Sequence, residues 1–383
     1  MNTQIPAFRE QLTRLIAAPS VSSPDPSVDM SNRPVVDLIA SWLADSGFAV
    51  DIMDVSQAPE KVNLIAVAGK GEGGLVLSGH TDTVPFDHFG WQQDPFRLTE
   101  RDGRLYGLGV SDMKCFFPIV FDVVRELDLT KLKHPLYVLA TCDEESTMSG
   151  AKALVTAQRA LGRYALIGEP TGLKPVNMHK GVLFETVRLI GQSGHSSNPA
   201  LGRSALEGMN AVINRLSAWC SEMQAQNNNA AFAVPVPTLN FGSIHGGDSP
   251  NRICGQCELR IDMRFLPGME LSDLRAAIRR NVLETIDGRG LIAEFELNPA
   301  ELPGMYTAAE SDIVRMAERL AGEPAGSVGF GTEGPYLNAL GMDTVVLGPG
   351  DIDVAHQANE YLALGRIGPM KKIVRELIQH FCM

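Results

Sequence analysis

Four short apolar runs constrain the fold of this chain more than any other feature of its sequence. They are Leu75 to Leu77, Pro135 to Thr141, Tyr164 to Ile167 and Thr344 to Leu347. Unbroken runs of this length, bounded by glycine or polar residues, are typical of strands in a parallel sheet that is covered on both faces. The first run stops abruptly, which predicts that His80 and Asp82 lie just past the end of a buried strand.

Segments with apolar residues at helical spacing alternate with these runs, as in βαβ units. Helices are predicted for Phe8 to Ala17, Val35 to Gly47, a segment ending near Leu127, Ser149 to Ala160, Ser311 to Gly322 and Pro369 to Cys382. Two further strand-like segments, Phe48 to Met53 and Asn63 to Ala68, precede the first run. The predicted fold class is therefore α/β, with a mostly parallel central sheet and helices on both faces.

The pattern changes after Lys180-Gly181, where the predicted elements follow the order βαββαβ. They are Val182 to Ile190, Ser204 to Cys220, Pro237 to Ile244, Ile253 to Phe265, Asp273 to Thr285 and Leu291 to Leu297, with Glu222 to Asn229 as a surface loop. This order is that of a compact ferredoxin-like α+β unit. We therefore expect a discontinuous α/β domain of residues 1–180 and 300–383, with an inserted domain of residues 181–299.

The composition limits the classes of partner. A chain of 383 residues is too long for one ordinary core, and 44% hydrophobic with 20% charged residues is typical of a globular protein. The net charge of -12 disfavours nucleic acid and anionic membranes, because both require a basic surface. We expect a small-molecule substrate, with no nucleic-acid or membrane partner.

The cysteines and the N-terminal segment bear on location. The six cysteines are scattered and lie mostly in apolar surroundings, which suits a reducing cytosol. The first residues lack a basic stretch followed by an apolar core, so no signal peptide is expected. No apolar run is long enough to span a bilayer. A cytoplasmic location is therefore expected.

Histidines and carboxylates follow the predicted strands in a way that suggests a metal site. Since loops at the carboxyl ends of strands line the ligand crevice of an open α/β sheet, these side chains should converge. The potential ligands are His80, Asp112, Glu145, Glu169 and His356. Two imidazoles and three carboxylates satisfy two borderline divalent ions if one carboxylate bridges them. Two such ions, about 3.5 to 4 Å apart, would activate a water and polarise a substrate carbonyl.

Two neighbouring carboxylates have other predicted roles. Asp82 can reach back along an extended chain to hold the second ring nitrogen of His80, as carboxylates commonly do for metal-binding histidines. In the pair Glu144-Glu145, one glutamate can bind metal while the other, pointing elsewhere, acts as general base and then general acid.

Each of these residues also has a plain structural interpretation. His80 could be a hydrogen-bonded turn histidine, Asp112 a helix N-cap, Glu144-Glu145 a solvated helix start and Glu169 a turn acid. Five recurrences at the same edge of one sheet make coincidence a poor explanation.

Together the motifs of this chain resemble the M20 family of dinuclear zinc hydrolases. They are Ser78-Gly-His-Thr-Asp-Thr-Val-Pro85, Gly107-Leu-Gly-Val-Ser-Asp-Met-Lys114, Asp143-Glu-Glu145, Gly168-Glu-Pro-Thr171, Gly191-Gln-Ser-Gly-His-Ser196 and His356. The resemblance extends over nearly the whole chain and in the same order. One departure is Cys115, which stands where many relatives have glycine.

The resemblance implies a ligand set for each metal. His80, Asp112 and Glu169 would hold one zinc, and Asp112, Glu145 and His356 the other, with cobalt and manganese also suited to these ligands. It implies further that Glu144 is the base, that Asp82 orients His80, and that the inserted unit is a lid and dimerisation domain, so that a homodimer is expected.

The resemblance also implies contacts to substrate. His195 is similar to a lid histidine that reaches the active site of the partner subunit and stabilises the oxyanion. Asn251 and Arg264 are similar to lid residues that meet a substrate carboxylate or carbonyl. Gly331, Thr332 and Lys180 resemble further substrate contacts. The structural alternatives are a turn histidine at His195 and a surface charge at Arg264.

Longer blocks resemble the branch of the family that removes acetyl from an acetylated amino acid. They include Asp94-Pro-Phe96, His179-Lys-Gly181, Ile244-His-Gly-Gly-Asp248 and Leu347-Gly-Pro-Gly350. A desuccinylase branch with the same metal residues, or another aminoacylase, remains the alternative. A different class of function, a catalytically idle metal-binding regulatory protein, is disfavoured by the intact Glu144 and the complete ligand set.

Overall fold

The computed structural model describes residues 7–57, 59–87, 89–298 and 300–383. The N-terminal segment in which no signal peptide is expected begins with residues 1–6, which lie outside the described residues. Pro299, the last residue of the predicted inserted domain, also lies outside them.

The helices of the described residues agree closely with those expected from apolar spacing. They are α1 (Phe8–Ile16), α2 (Arg33–Asp45), α3 (Phe116–Val124), α4 (Ser149–Thr156), α5 (Ala205–Gln226), α6 (Leu271–Ile286), α7 (Asp312–Ala321), α8 (Gly334–Ala339) and α9 (Ile367–Cys382). The sequence did not predict α8. None of the described helices is both long enough and apolar enough to cross a membrane.

The strands of the described residues include the predicted runs and several short additions. They are β1 (Ala49–Gln57), β2 (Glu60–Ala68), β3 (Leu75–His80), β4 (Thr99–Arg101), β5 (Arg104–Tyr106), β6 (Leu136–Thr141), β7 (Tyr164–Ile167), β8 (Val176–His179), β9 (Gly181–Ile190), β10 (Thr238–Gly246), β11 (Gln256–Phe265), β12 (Ile292–Leu297), β13 (Met305–Tyr306), β14 (Gly326–Val328), β15 (Asp343–Val346) and β16 (Tyr361–Ala363).

The chain divides into two compact units. The first contains residues 7–177, Thr307–Gly326 and Thr332–Met383, and the second contains Met178–Tyr306 and Ser327–Gly331. Each unit has a hydrophobic core of its own.

The sheet of the first unit has the order β1-β2-β6-β3-β7-β15-β8. Its centre, β6-β3-β7-β15, is parallel, whereas β1, β2 and β8 join it in antiparallel pairs. The expectation of a mostly parallel centre is confirmed. The strand β3 continues through His80, which pairs with Thr141, so the prediction that His80 lies past the strand end is wrong by one residue. The parallel pairing of β3 with β6 continues to this last pair, so the strand ends at His80.

Helices cover both faces of this sheet. Leu75 and Leu77 of β3 point into a cluster that includes residues of α1, α2, α3, α7 and α9. Val76 points the opposite way and is also fully buried. On that side α4 contacts α8, and both contact strands of the sheet. The continuous apolar runs are explained by this two-sided cover.

Three short strands form a small sheet that the sequence did not predict. Its order is β16-β5-β4, and Tyr361 pairs with Tyr106. This pairing brings the segment after His356 against the segment that leads to Asp112, although about 250 residues separate them in sequence. The small sheet therefore helps to position two candidate ligands.

The second unit has the predicted order β9-α5-β10-β11-α6-β12. Its sheet order is β10-β11-β9-β12 with all pairs antiparallel, and α5 and α6 pack against it. The ferredoxin-like unit is confirmed. The predicted loop of Glu222 to Asn229 is wrong in its first half, because α5 continues to Gln226 and buries Met223 against the core.

Candidate metal centre

The candidate ligands converge at the carboxyl edge of the parallel strands. His80 ends β3, Glu145 follows β6 and Glu169 follows β7. Asp112 lies between β5 and α3, and His356 lies between β15 and β16. The structure brings all five side chains into one cluster.

Asp112 lies at the centre of that cluster. Its Oδ1 is 3.1 Å from Nε2 of His80, and its Oδ2 is 3.2 Å from Nε2 of His356. Nε2 of His356 is also 3.0 Å from Oε2 of Glu145, and Nε2 of His80 is 3.6 Å from Oε1 of Glu169. The two oxygens of one carboxylate therefore face two separate groups of nitrogen and oxygen donors.

Ligand atoms within 4.8 Å of one another also form two overlapping triads that share His80. One is His80, Glu144 and Glu169, and the other is His80, Asp112 and Glu145. Distance alone thus suggests His80 as the shared residue. However, its Nδ1 lies 3.0 Å from the carbonyl of Asp82, which leaves one ring nitrogen for a metal. A carboxylate has two oxygens, so the geometry of Asp112 suits a bridging position better than that of His80.

The carboxylates of the cluster carry more negative charge than His80 and His356 can balance. Burial raises the pKa of Glu144, Glu145 and Glu169, and the neighbouring carboxylates raise each pKa further. Burial alone would lower the pKa of His80, but Glu169 and Asp112 outweigh it and raise that pKa well above its ordinary value. Hydrogen bonds to Asp112 and Glu145 raise the pKa of His356 to about 10.

These observations fit divalent cations. Among the described residues, Oε1 of Glu169 and Oδ1 of Asp82 are buried without a hydrogen-bond partner, although buried polar atoms are normally paired. Carboxylate oxygens and imidazole nitrogens are the donor set that zinc and similar borderline ions prefer. The residues present therefore suit the two ions that the sequence predicts.

Asp82 differs from its expected geometry. The Nδ1 of His80 meets the backbone carbonyl of Asp82, while the carboxylate oxygen Oδ1 is 3.7 Å away. The other carboxylate oxygen accepts the backbone N–H of Glu145 at 3.1 Å. The side chain thus holds the loop after β6, and the main chain orients the imidazole.

A buried lysine supports the turn that carries Glu144 and Glu145. The Nζ of Lys61 lies 2.7 Å from Asp29 and 2.8 Å from Asp143, and the lysine side chain is almost wholly buried. Asp143 has a positive φ of 56°, and its carbonyl accepts N–H bonds from three residues, the last being Met148. The sequence motif Asp143-Glu-Glu145 includes Asp143 without giving it a role. Sequence reasoning missed Lys61, because a lysine within a strand pattern resembles an exposed charge.

Two further buried carboxylates lie near the centre without a role assigned from the sequence. Glu333 directly follows the predicted contact Thr332 and accepts a hydrogen bond from Ser78 at 3.3 Å, two residues before His80. Burial raises the pKa of Glu333. Glu360 accepts backbone N–H bonds beside Asp112. Glu333 belongs to the segment Gly331-Thr332-Glu333, whose resemblance to a substrate-contact loop is the signal that the sequence offers.

Cys115 is fully buried at the start of α3, and burial raises the pKa of its thiol. Since the thiolate is the reactive form, burial and a raised pKa both disfavour reaction of this thiol.

The predicted substrate residues lie mostly in the second unit. His195 is exposed, its Nδ1 is 2.8 Å from the hydroxyl of Ser197, and its backbone bridges to Arg252. The adjacent Asn251 is also exposed and accepts a hydrogen bond from Ser249. The structure thus brings His195 and Asn251 into one pair of loops.

The remaining predicted contacts have other partners. Arg264 is on β11 and forms a bidentate pair with Asp262. Lys180 is buried and donates to the carbonyl of Val236 at 2.6 Å. Gly331 closes the second unit, where a Cβ would lie 2.1 Å from Leu302, and Thr332 is buried in the first unit.

Comparison with known proteins identifies the family. The profile described as Peptidase family M20/M25/M40 matches residues 76–380. This chain belongs to that family. The acetylornithine deacetylase of Photorhabdus laumondii subsp. laumondii is 45% identical over 385 residues, covering 100% of this chain and 99% of that protein. The acetylornithine deacetylase of Edwardsiella ictaluri is 45% identical over 383 residues, and the match covers 100% of both chains.

Solved structures show the same M20 fold at low identity. Aminopeptidase PepT from Bacillus cereus has a TM-score of 0.76 at 20% identity and covers 99% of both chains. The Bacillus subtilis YXEP protein, titled a dinuclear metal binding peptidase of the M20 family, has a TM-score of 0.68 at 16% identity. It covers 97% of this chain and 96% of its own.

The charge imbalance at the M20 centre predicts the pH dependence of the metal-free protein. A carboxyl with a raised pKa binds more protons folded than unfolded, so stability falls as pH rises above its ordinary value of 4.5. For His80 and His356 the stabilisation is complete below pH 6.5, and for His356 it is lost as pH rises through about 10. Asp112, whose pKa is lowered, acts in the opposite sense but only in the acid range.

We therefore expect the melting temperature of chelator-treated protein to fall steadily between about pH 5 and pH 9. Differential scanning calorimetry would measure it. The metal-loaded protein is the control and should lose less stability over the same range, because the cations replace the protons. A metal-free protein that gains stability with rising pH would contradict the assigned charge balance.

Proposed function

We propose that this M20 protein is a metal-dependent amide hydrolase that removes the acetyl group from N2-acetyl-L-ornithine, giving L-ornithine and acetate. The observation that carries the chemistry is Asp112, whose two oxygens face His80 and His356 with Glu144 beside them. The choice of substrate is supported by relatives named acetylornithine deacetylase that match this chain from end to end. The product would serve arginine biosynthesis, as that name implies.

The proposed metal ligands follow the two sides of Asp112. His80, Asp112 and Glu169 would hold one divalent ion, and Asp112, Glu145 and His356 the other. Zinc is the first choice, and cobalt and manganese also suit these donors. When bound, the two ions would lower the pKa of a water and polarise the substrate carbonyl.

Glu144 is the proposed general base. Its side chain is buried in the cluster, and its raised pKa brings proton exchange closer to neutral pH, where a general base works best. Glu144 takes a proton from the attacking water as the water oxygen bonds to the acetyl carbon. It then gives that proton to the nitrogen as the C–N bond breaks, so acetate and the free amine leave. The carboxylate of Asp82 accepts the backbone N–H of Glu145 and so keeps Glu145 in place.

The second unit supplies the remaining proposed roles. Residues 1–180 and 300–383 would form the catalytic domain, and residues 181–299 a lid and dimerisation domain of a cytoplasmic homodimer. His195 would reach the partner's active site and stabilise the oxyanion. Its exposed position beside Asn251 suits such a contact. Asn251, Arg264, Lys180, Gly331 and Thr332 would contact the substrate.

Replacing the proposed base separates catalysis from metal binding. In Glu144→Gln the amide cannot accept the proton, so we expect kcat to fall by about 10²- to 10⁴-fold. Metal content, measured by atomic emission, should stay at the wild-type value. Glu323→Gln, the same change at an exposed position, is the matched control and should keep full activity. Undiminished hydrolysis by Glu144→Gln would refute the assignment.

The acyl and amine specificity is tested by comparing substrates on one preparation. We expect kcat/KM for N2-acetyl-L-ornithine to exceed that for N-succinyl-diaminopimelate and for other acetylated amino acids. Release of the free amine can be measured with an amine-reactive reagent. A preference for the succinyl substrate would reassign the substrate and leave the metal centre intact. No hydrolysis of any of them by metal-loaded protein would favour the idle regulatory protein.

A further inference from the structure

Glu360 is a buried carboxylate with an unusual set of partners. It lies immediately before β16, and only 2% of its surface is exposed. Its Oε2 accepts the N–H of Gly109 at 2.9 Å, and its Oε1 accepts the N–H of Ser111 at 2.6 Å and of Asp112 at 3.0 Å. Within the described parts of the chain, no lysine, arginine or histidine forms an ion pair with Glu360. Three backbone amides therefore hold the two oxygens of its carboxyl group.

The turn that supplies these amides has a restricted backbone. Gly109 has a φ of +79°, and a Cβ there would lie 2.7 Å from the side chain of Thr83. Glycine adopts this conformation without strain, and the N–H groups of Gly109, Ser111 and Asp112 all point towards one carboxyl group. Asp112 is the last residue of the turn that Glu360 contacts. Glu360 therefore accepts the backbone N–H of the same residue whose carboxylate faces both histidines.

The segment between β15 and β16 carries both His356 and, four residues later, Glu360. Nε2 of His356 lies 3.2 Å from Oδ2 of Asp112. Glu360 thus connects two segments that each supply a candidate ligand to the same side of the centre. Further bonds join the segments, since the backbone N–H of Gly107 donates to the carbonyl of Glu360 and the N–H of Asp351 donates to the hydroxyl of Ser111.

We propose that Glu360 is the positioning residue of the metal centre, which fixes the bridging carboxylate Asp112 relative to His356 by holding the turn from Gly109 to Asp112. Glu360 touches neither substrate nor metal and acts through Asp112. The inference rests on the metal centre of the proposed function and is independent of which acyl group the enzyme removes.

Glu360→Gln is the sharpest variant, because it keeps the size of the side chain. The amide oxygen can still accept from Ser111 and Asp112, but the NH2 group then faces the N–H of Gly109, donor against donor. We expect the zinc affinity of the full-length protein to fall by about tenfold to a hundredfold, the range typical of residues that support metal ligands. Zinc-loaded protein equilibrated with a series of chelators, followed by measurement of retained zinc, gives this affinity.

The controls separate positioning from general stability. Glu323→Gln makes the same chemical change on the surface and should retain zinc as the wild type does. In cobalt-loaded protein the visible absorption bands, which report ligand geometry, should change in Glu360→Gln and stay constant in Glu323→Gln. Glu360→Asp keeps the carboxyl group but is one methylene shorter, so it should weaken zinc binding as well.

Zinc affinity in Glu360→Gln within about twofold of wild type would overturn the proposal, whatever happens to its melting temperature. If that variant does not fold, Glu360→Asp decides by the same twofold criterion. Because zinc retention needs no substrate, an enzyme that binds two metals but does not hydrolyse acetylornithine would refute the proposed substrate and leave the role of Glu360 standing.

Discussion

The crowding of carboxylates around Asp112 is the constraint on which the rest of the first unit depends. Among the described residues, three glutamates and this aspartate lie together with two histidines that could carry the opposite charge. Burying so much negative charge is costly unless cations or protons balance it. The raised pKa of Glu144, Glu145 and Glu169 expresses that cost, and two divalent ions would remove it. A centre of this kind holds together only if its scaffold keeps the ligands from separating.

The scaffold does this by ending each central strand at the same edge. Glycine lets the backbone before Glu169 pack directly on α3. A Cβ at Gly168 would lie 2.2 Å from the ring of Phe116. Elsewhere long-range polar contacts hold the loops. Lys61 fixes the turn before Glu144, and Glu360 fixes the turn before Asp112.

Much of this arrangement was predictable, because strand runs and their terminal residues are local features. The apolar run at β3 predicted a buried parallel strand, and the histidine and acids after such runs predicted a shared edge. The motifs around His80 and Asp112 predicted the family, which the match over residues 76–380 confirms. The roles of the individual site residues stay predictions.

The parts that sequence could not provide depend on tertiary contacts. Glu360 and Gly109 are 251 positions apart, and no local pattern links them. The short strands β5 and β16 were missed because three residues carry too little periodicity to be recognised. The continuation of α5 through Glu222 to Gln226 depends on the burial of Met223, which a polar stretch conceals.

We propose that one carboxylate joins two metal ions, and a crystal structure of the metal-loaded protein would test this arrangement. Anomalous diffraction at the absorption edge of the bound metal would locate the ions. We expect two sites that share Asp112, one with His80 and Glu169 and the other with His356 and Glu145. A single fully occupied site, or two sites that His80 bridges in place of Asp112, would contradict it.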